Sequence, residues 1–276
     1  MGETEGRAAR ANSLSYDSLS RNEYVLGAPH IRHPHLQRMY DGLAAKTFET
    51  IQKVVPIPRI LDLGAGEGSV TATYLNLGAS VTAVDISAGR LKQLSHRCAG
   101  LPGQLEIVCG EAVEAIDTLT RESKQYDLVV ATAFLHHVPD YEYLLRRAVG
   151  ILSANGQILT FEDPLRYDLL SLPVRLFSGV AYCSWRLLQR DLVAGTWRFV
   201  RRQMGNYVDA SPDNVEYHVV RNGVDQDAIC RLLDELGMDS HLVRYFSTQA
   251  PFWETIGRHL GVANTFGVVA KWKDKL

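Results

Sequence analysis

Between Arg59 and Asp163 the sequence alternates short apolar runs with amphipathic stretches, and this alternation constrains the fold more than any other feature. RILDLG (59–64), SVTAVDIS (80–87), LEIVCG (105–110), YDLVVATA (126–133) and QILTFED (157–163) have the length and β-branched content of strands. Apolar residues at helical spacing fill 68–77, 87–99, 111–121 and 140–152. Strands separated by helices at this spacing return in the same direction through right-handed crossovers. An α/β fold follows, with a parallel sheet covered by helices on both faces. The run LVVATA is apolar almost throughout, as a central strand buried on both sides must be.

The flanks organise around this core. Residues 1–22 are polar and Ser-rich and are expected to be a flexible N-terminus. Residues 23–57 predict a helical cap, with Leu36, Met39, Tyr40, Leu43, Ala44, Phe48 and Ile51 at helical intervals, interrupted by Pro29 and Pro34. The main domain is expected over 58–276, and its rhythm breaks after Pro164. A helical lid is predicted as an insertion over 165–215, ending in turn signals such as SPDN (211–214). Alternation then resumes with a helix (225–238) and two closing strands (241–248 and 265–272), joined by a loop carrying a helix near Trp253 to Leu260.

Composition narrows the functional classes. Hydrophobic residues at 46% and charged residues at 22% describe a folded chain rather than a disordered one. Lys plus Arg (29) nearly balances Asp plus Glu (31), so no global charge draws the chain to nucleic acid. The four cysteines, Cys98, Cys109, Cys183 and Cys230, are isolated, which argues against a zinc site or a disulfide framework. No apolar signal core opens the chain, and no run approaches the ~18 apolar residues of a membrane span. A soluble, cytoplasmic protein is expected.

The sharpest local signal is ILDLGAGEGSVTATYL, a strand, a tight glycine turn and a helix. Gly64 and Gly66 admit positive φ and let a ligand lie against the backbone, and Gly68 opens the helix whose amides face that ligand. Such turns sit at the carboxyl edge of an open sheet, where α/β proteins bind nucleotides. Ser69 occupies the place where a dinucleotide fingerprint carries Gly or Ala, and no GK[ST] follows. Asp62 before the turn and Glu67 within it would repel a pyrophosphate but suit a ligand bearing an ammonium and a sulfonium. The charges therefore favour S-adenosylmethionine over NAD. Asp85, ending the second strand, is placed to accept both ribose hydroxyls, with Ser87 the better candidate for capping the next helix. Glu111 follows the third strand and either accepts the adenine amino group or complements a helix dipole.

LDLGAGEG, VDIS, the GEA turn, YDLVVATAFLHHVPD and GQILTFEDP stand in the order and at the separations of the class I S-adenosylmethionine-dependent methyltransferases, and the chain resembles that family over about 58–163 plus the closing strands. The resemblance implies a Rossmann-like seven-stranded sheet whose last strand is antiparallel. It implies cofactor contacts at Asp62, Gly64, Ala65, Gly66, Asp85, Ile86, Glu111, Ala112 and Thr132. LHHVPD looks like the corresponding segment of small-molecule and quinone methyltransferases. Glu111 departs from the family in standing where Asp is common.

Methyl transfer needs alignment, exclusion of water and, for a hydroxyl acceptor, a base. His136 and His137, after the fourth strand, are the candidate catalytic residues, with nothing in the sequence to separate them; Glu162 and Asp163 are rival carboxylates. In PHIRHPH, His30, His33 and His35 lack metal-ligand spacing and are expected in a solvated or lid-forming loop, so no metal site is assigned. Tyr16, Tyr24 and Tyr40 are expected to help close the site. The insertion interleaves Phe177, Tyr182, Trp185, Trp197 and Phe199 with seven arginines against two aspartates, a net +5 between 166 and 202. It reads as an aromatic substrate lid, a weak membrane-surface contact or a packing and homodimer surface. The expected activity is methylation of an O or C nucleophile on a hydrophobic or aromatic small molecule of quinone or natural-product biosynthesis, with no nucleic-acid partner. The alternatives are a chain that keeps the cofactor but performs a non-methylating reaction such as a cyclisation, and an NAD-dependent oxidoreductase, against which Asp62 and Ser69 argue.

Overall fold

The computed structural model describes residues 28–188 and 222–273, together with Asn12 and residues 217–219. The chain enters through two helices, α1 (Pro29–Arg32) and α2 (Pro34–Gln52). Each begins on a proline, where the missing N–H costs nothing, so Pro29 and Pro34 start helices rather than merely interrupting a pattern. Strands and helices then alternate: β1 (Arg59–Leu63), α3 (Ser69–Asn76), β2 (Ser80–Asp85), α4 (Ala88–Cys98), β3 (Gln104–Cys109), α5 (Ala112–Arg121), β4 (Tyr126–Thr132), α6 (Tyr141–Gly150) and β5 (Leu152–Pro164). After α7 (Leu172–Leu188) come α8 (Gln226–Glu235), β6 (Met238–Tyr245), α9 (Pro251–His259) and β7 (Thr265–Trp272).

Seven strands form one sheet in the order β3-β2-β1-β4-β5-β7-β6. β1 to β5 are parallel, and β7 inserts antiparallel between β5 and β6. Strand order reverses between β1 and β4, which opens a crevice at their carboxyl ends. β4 is buried at every position, as its unbroken apolar run requires. One face of the sheet packs Leu61, Val129, Ile158 and Val268 against α5, α6 and α8. The other packs Ile60, Leu128, Leu159 and Phe161 against α2, α3 and α4, through residues such as Leu36, Phe48, Leu75 and Leu94. Each such side chain contributes about 1.5–3 kcal/mol of burial. α2 is therefore part of the core.

β5 starts five residues before the predicted QILTFED, at Leu152, with Ser153–Asn155 as its partly exposed lead-in. Its pairing with β7 shifts between Thr160 and Asp163, and Glu162 there has φ +65°. This irregularity re-aims the last side chains of the strand, as β-bulges do. In the insertion, α7 packs Phe177 against Phe246 and Trp253, with ring centroids 5.1 and 5.5 Å apart. The remainder of the predicted lid, including Trp197 and Phe199, lies outside the described residues, as do Tyr16 and Tyr24.

Candidate active site

The β1–α3 turn is built as its glycines require: Gly64, Gly66 and Gly68 have φ of +71°, +54° and +87°. A Cβ on Gly64 would lie 2.3 Å from Cδ2 of Phe134, so glycine is needed for space as well as for conformation. Asp85 ties the turn to β2. One of its oxygens accepts the Gly66 N–H and the other the Ser87 N–H, both at 2.8 Å. A carboxylate has about four lone-pair sites, more than these two N–H groups occupy. Ser87 caps α4 by accepting the Arg90 N–H at 3.1 Å, the capping role expected of it.

A cavity of about 480 Å³ opens over this turn. Gly64, Gly66, Asp85, Ile86, Glu111, Ala112, Thr132 and His137 line it, together with Phe134, Arg90, Val113 and Tyr143. Glu111 caps α5 through the Glu114 N–H (3.0 Å) while its residue forms part of the wall, so the capping and adenine readings coexist in one position. Thr132 Oγ1 is buried and, among the described residues, makes no hydrogen bond of good geometry, with the Tyr40 hydroxyl as its polar neighbour. A buried hydroxyl of this kind fits a polar ligand group.

Two acids expected to face the ligand are placed elsewhere. Asp62 does not line the cavity; it is buried under the turn, accepts the Thr71 hydroxyl at 2.6 Å, and is pushed up to about 7 by burial. Glu67 is paired with Arg97 and Ser69, so the sequence-based picture of Glu67 opposing a ligand charge is corrected. α4 supplies the cation that keeps this buried acid paired, whereas Asp62, among the described residues, has only the Thr71 hydroxyl and is raised instead. Ala65 is buried beside the turn and is also absent from the wall. The acidic lining comes instead from Asp85, Glu111, Glu114, Asp117 and Asp140, against Arg90. That balance disfavours a pyrophosphate and fits S-adenosylmethionine. Arg90 went unnoticed in the sequence, although it sits one turn into the helix that Ser87 caps.

A second polar cluster occupies the carboxyl ends of β4, β5 and β6. The fully buried Asp163 accepts, through Oδ1, both the backbone N–H (3.0 Å) and Nδ1 (2.8 Å) of His136. An acceptor at Nδ1 makes Nδ1 the protonated nitrogen and leaves the ring lone pair on Nε2, the arrangement of an oriented base. His136 and His137 are thus separated by the structure: the His136 ring pairs with Asp163, the His137 residue faces the cavity, and their centroids are 4.0 Å apart. Glu162 accepts the Ser247 hydroxyl through Oε1 and donates its N–H to the Tyr245 hydroxyl at 2.7 Å. Among the described residues its buried Oε2 makes no hydrogen bond, and burial pushes the carboxyl up to about 7. Neither Glu162 nor Asp163 caps a helix.

The histidines of PHIRHPH are not in a solvated loop. His30 lies on α1 and His33 caps α2 in a buried position. Burial and the neighbouring His136 push His30 down to about 3, so it stays neutral. No cluster of three metal-ligating side chains occurs among the described residues. Tyr40 is buried on α2, its ring edge-on to Phe161 at 5.4 Å.

A methyltransferase domain model matches residues 61–160. The ubiquinone biosynthesis O-methyltransferase of Bordetella avium (strain 197N) is 30% identical over 100 residues, 36% of this chain; the chain spans 40% of that relative's length. The plantazolicin methyltransferase BpumL in complex with SAH superposes with a TM-score of 0.53 at 15% identity, over 97% of this chain and 96% of that one. The magnesium protoporphyrin IX methyltransferase ChlM from Synechocystis PCC 6803, with bound SAH, gives 0.53 at 11% identity, over 98% and 100%. At these identities the two structures share the fold alone. With its 3-2-1-4-5-7-6 sheet, its glycine turn and the match over residues 61–160, the chain carries a methyltransferase domain in the fold of the class I S-adenosylmethionine-dependent methyltransferases.

Proposed function

We propose that this protein transfers the methyl group of S-adenosylmethionine to a hydroxyl of a hydrophobic, aromatic or quinone-like small molecule, an intermediate of quinone or natural-product biosynthesis. The observation that carries the choice of a hydroxyl is the His136–Asp163 pair at the carboxyl edge of the sheet, beside the cavity that would hold the donor. The name of the Bordetella avium relative supports the acceptor class.

The cofactor supplies a methyl carbon already activated by its sulfonium. Gly64 and Gly66 would admit it against the backbone, Asp85 would accept its ribose hydroxyls, and Thr132 Oγ1 would meet a polar group near the join of the two clusters. His136 Nε2 would take the proton of the acceptor hydroxyl as that oxygen receives the methyl group from the sulfonium, and Asp163 would stabilise the resulting imidazolium. His30, neutral throughout, adds no positive charge against that imidazolium.

The test is turnover with methyl-labelled cofactor and a panel of catechols, phenols and hydroquinones. Label in an ether product is expected. Turnover that leaves the product unlabelled favours a cofactor-assisted, non-methylating reaction such as a cyclisation; label on carbon keeps the methyl transfer and removes the hydroxyl.

A further inference from the structure

α7 presents one face that a water-soluble chain has no reason to build. Its inner side packs Ala181 and Phe177 toward the body of the protein. Its outer side carries Leu172, Leu176, Val180, Cys183 and Leu187, spaced three or four residues apart on a single stripe. Leu172 is 68%, Leu176 62%, Val180 52% and Leu187 60% exposed. Leu169 just before the helix and Phe252 on α9 are also exposed, and Phe252 adjoins Trp253, which packs on Phe177. A contiguous apolar surface of this kind marks an interaction site.

Charge selects the occupant. α7 contains no acid and carries Arg175 and Arg186. Arg175 is exposed beside the stripe and donates to the main-chain oxygens of Leu170 and Asp168; among the described residues no carboxylate pairs with its charge. Two copies meeting through this face would bring like charges together around the contact. A specific protein partner would also find few aromatic anchors and hydrogen-bonding groups on the stripe itself. Aliphatic side chains flanked by arginines suit a bilayer with anionic headgroups, where the leucines enter the acyl boundary and the guanidiniums stay at the phosphates. We infer that the outer face of α7 docks this protein on an anionic membrane surface. Among the described residues no helix is long and apolar enough to cross a membrane, so the contact is peripheral. The inference stands apart from the identity of the acceptor atom.

The experiment is sedimentation of the full chain with vesicles of phosphatidylcholine alone or of phosphatidylcholine mixed with phosphatidylglycerol. Wild type should partition into the mixed vesicles at least about tenfold better than into the neutral ones, and less well as salt rises. L176E/L187E should lose that preference while keeping the wild-type Tm and cofactor affinity. The milder L172S/V180S pair should lose part of it, which covers the case in which the glutamates disturb folding. Equal partitioning of wild type and both variants, or no partitioning of wild type, overturns the inference. So does a wild-type dimer that the variants dissociate without any change in vesicle binding, which would assign the face to a second copy. Protease exposure of residues 189–215 in the variants, again without a vesicle effect, would assign it to that segment and equally overturn the membrane.

Discussion

Asp163 holds His136 twice through a single carboxylate oxygen, taking the backbone N–H at 3.0 Å and the ring Nδ1 at 2.8 Å. The main-chain contact fixes where the residue sits, and the ring contact fixes the tautomer. Neither alone would aim Nε2, because a ring free to turn about χ2 presents either nitrogen. D163N should therefore lower kcat by about 10²-fold or more with little change in cofactor Kd, since general-base catalysis is worth 10²–10⁴-fold. H136A should match it, and the double variant should be no slower than either single one, because the two residues act as a unit.

Asp85 does structural and ligand-binding work at once, so its two substitutions should separate. D85A removes the acceptor of the Gly66 and Ser87 N–H groups as well as the ribose partner. Cofactor affinity should fall by about 1–3 kcal/mol, read by calorimetry. D85N keeps one oxygen acceptor and should restore part of the loss. Affinity unchanged in D85A would remove the residue from the ribose role.

The comparison between chain and structure turns on distance along the sequence. The β1–glycine–α3 turn, Asp85 with its Ser87 cap, and the helices flanking them were legible because each is a local pattern whose geometry the neighbouring residues enforce. TFGVVAKW was read as a strand over the same eight residues that form β7. Legibility failed where a partner comes from far away. Glu67 meets Arg97 across thirty residues, and His136 meets Asp163 across twenty-seven. The last case has a second cause. The shift between Thr160 and Asp163, with Glu162 at φ +65°, breaks the two-residue alternation from which a strand's inward side chains are read. No pattern in QILTFEDP shows that Asp163 turns to His136 while Glu162 turns to Ser247. Arg90 was missed for a simpler reason: an arginine in a helix's first turn ordinarily lies in solvent, whereas here it is buried in the cavity wall.

Two buried carboxyls give the protein a pH-dependent stability. Burial raises Asp62 from 3.8 and Glu162 from 4.5, each to about 7, so the folded state binds protons that the unfolded chain releases. Their contribution is fully present below the ordinary carboxyl range, declines as pH rises from about 4, and is lost once pH passes about 7. Denaturation of the cofactor-free protein by urea should show this fall, on the order of a few kcal/mol in all. D62N and E162Q each carry the neutral form permanently and should flatten part of the curve, being relatively more stable above pH 7 than below 5. A wild-type curve level across that window would show both acids to be as readily ionised in the fold as outside it.

Gly64 concentrates the demands of the cofactor turn at one atom. Its φ of +71° disfavours any side chain, and a Cβ there would meet the Phe134 ring at 2.3 Å. Phe134 cannot simply withdraw, because it packs against the hydrophobic cluster on the α5–α6 face of the sheet and also forms part of the cavity wall. In G64A the ring must therefore swing toward the cavity or the turn must open. Strain of this kind costs about 1–3 kcal/mol, so Tm should fall by several degrees. Both relaxations also reshape the space over Gly66 and Thr132, and cofactor affinity should drop more than stability does. G78A supplies the contrast. Gly78 has a comparable φ of +83° but open space around its Cβ position, so it should lose stability through backbone strain alone and bind cofactor as wild type does. Calorimetry and thermal unfolding on the two variants together distinguish a turn shaped for a ligand from one that merely needs glycine.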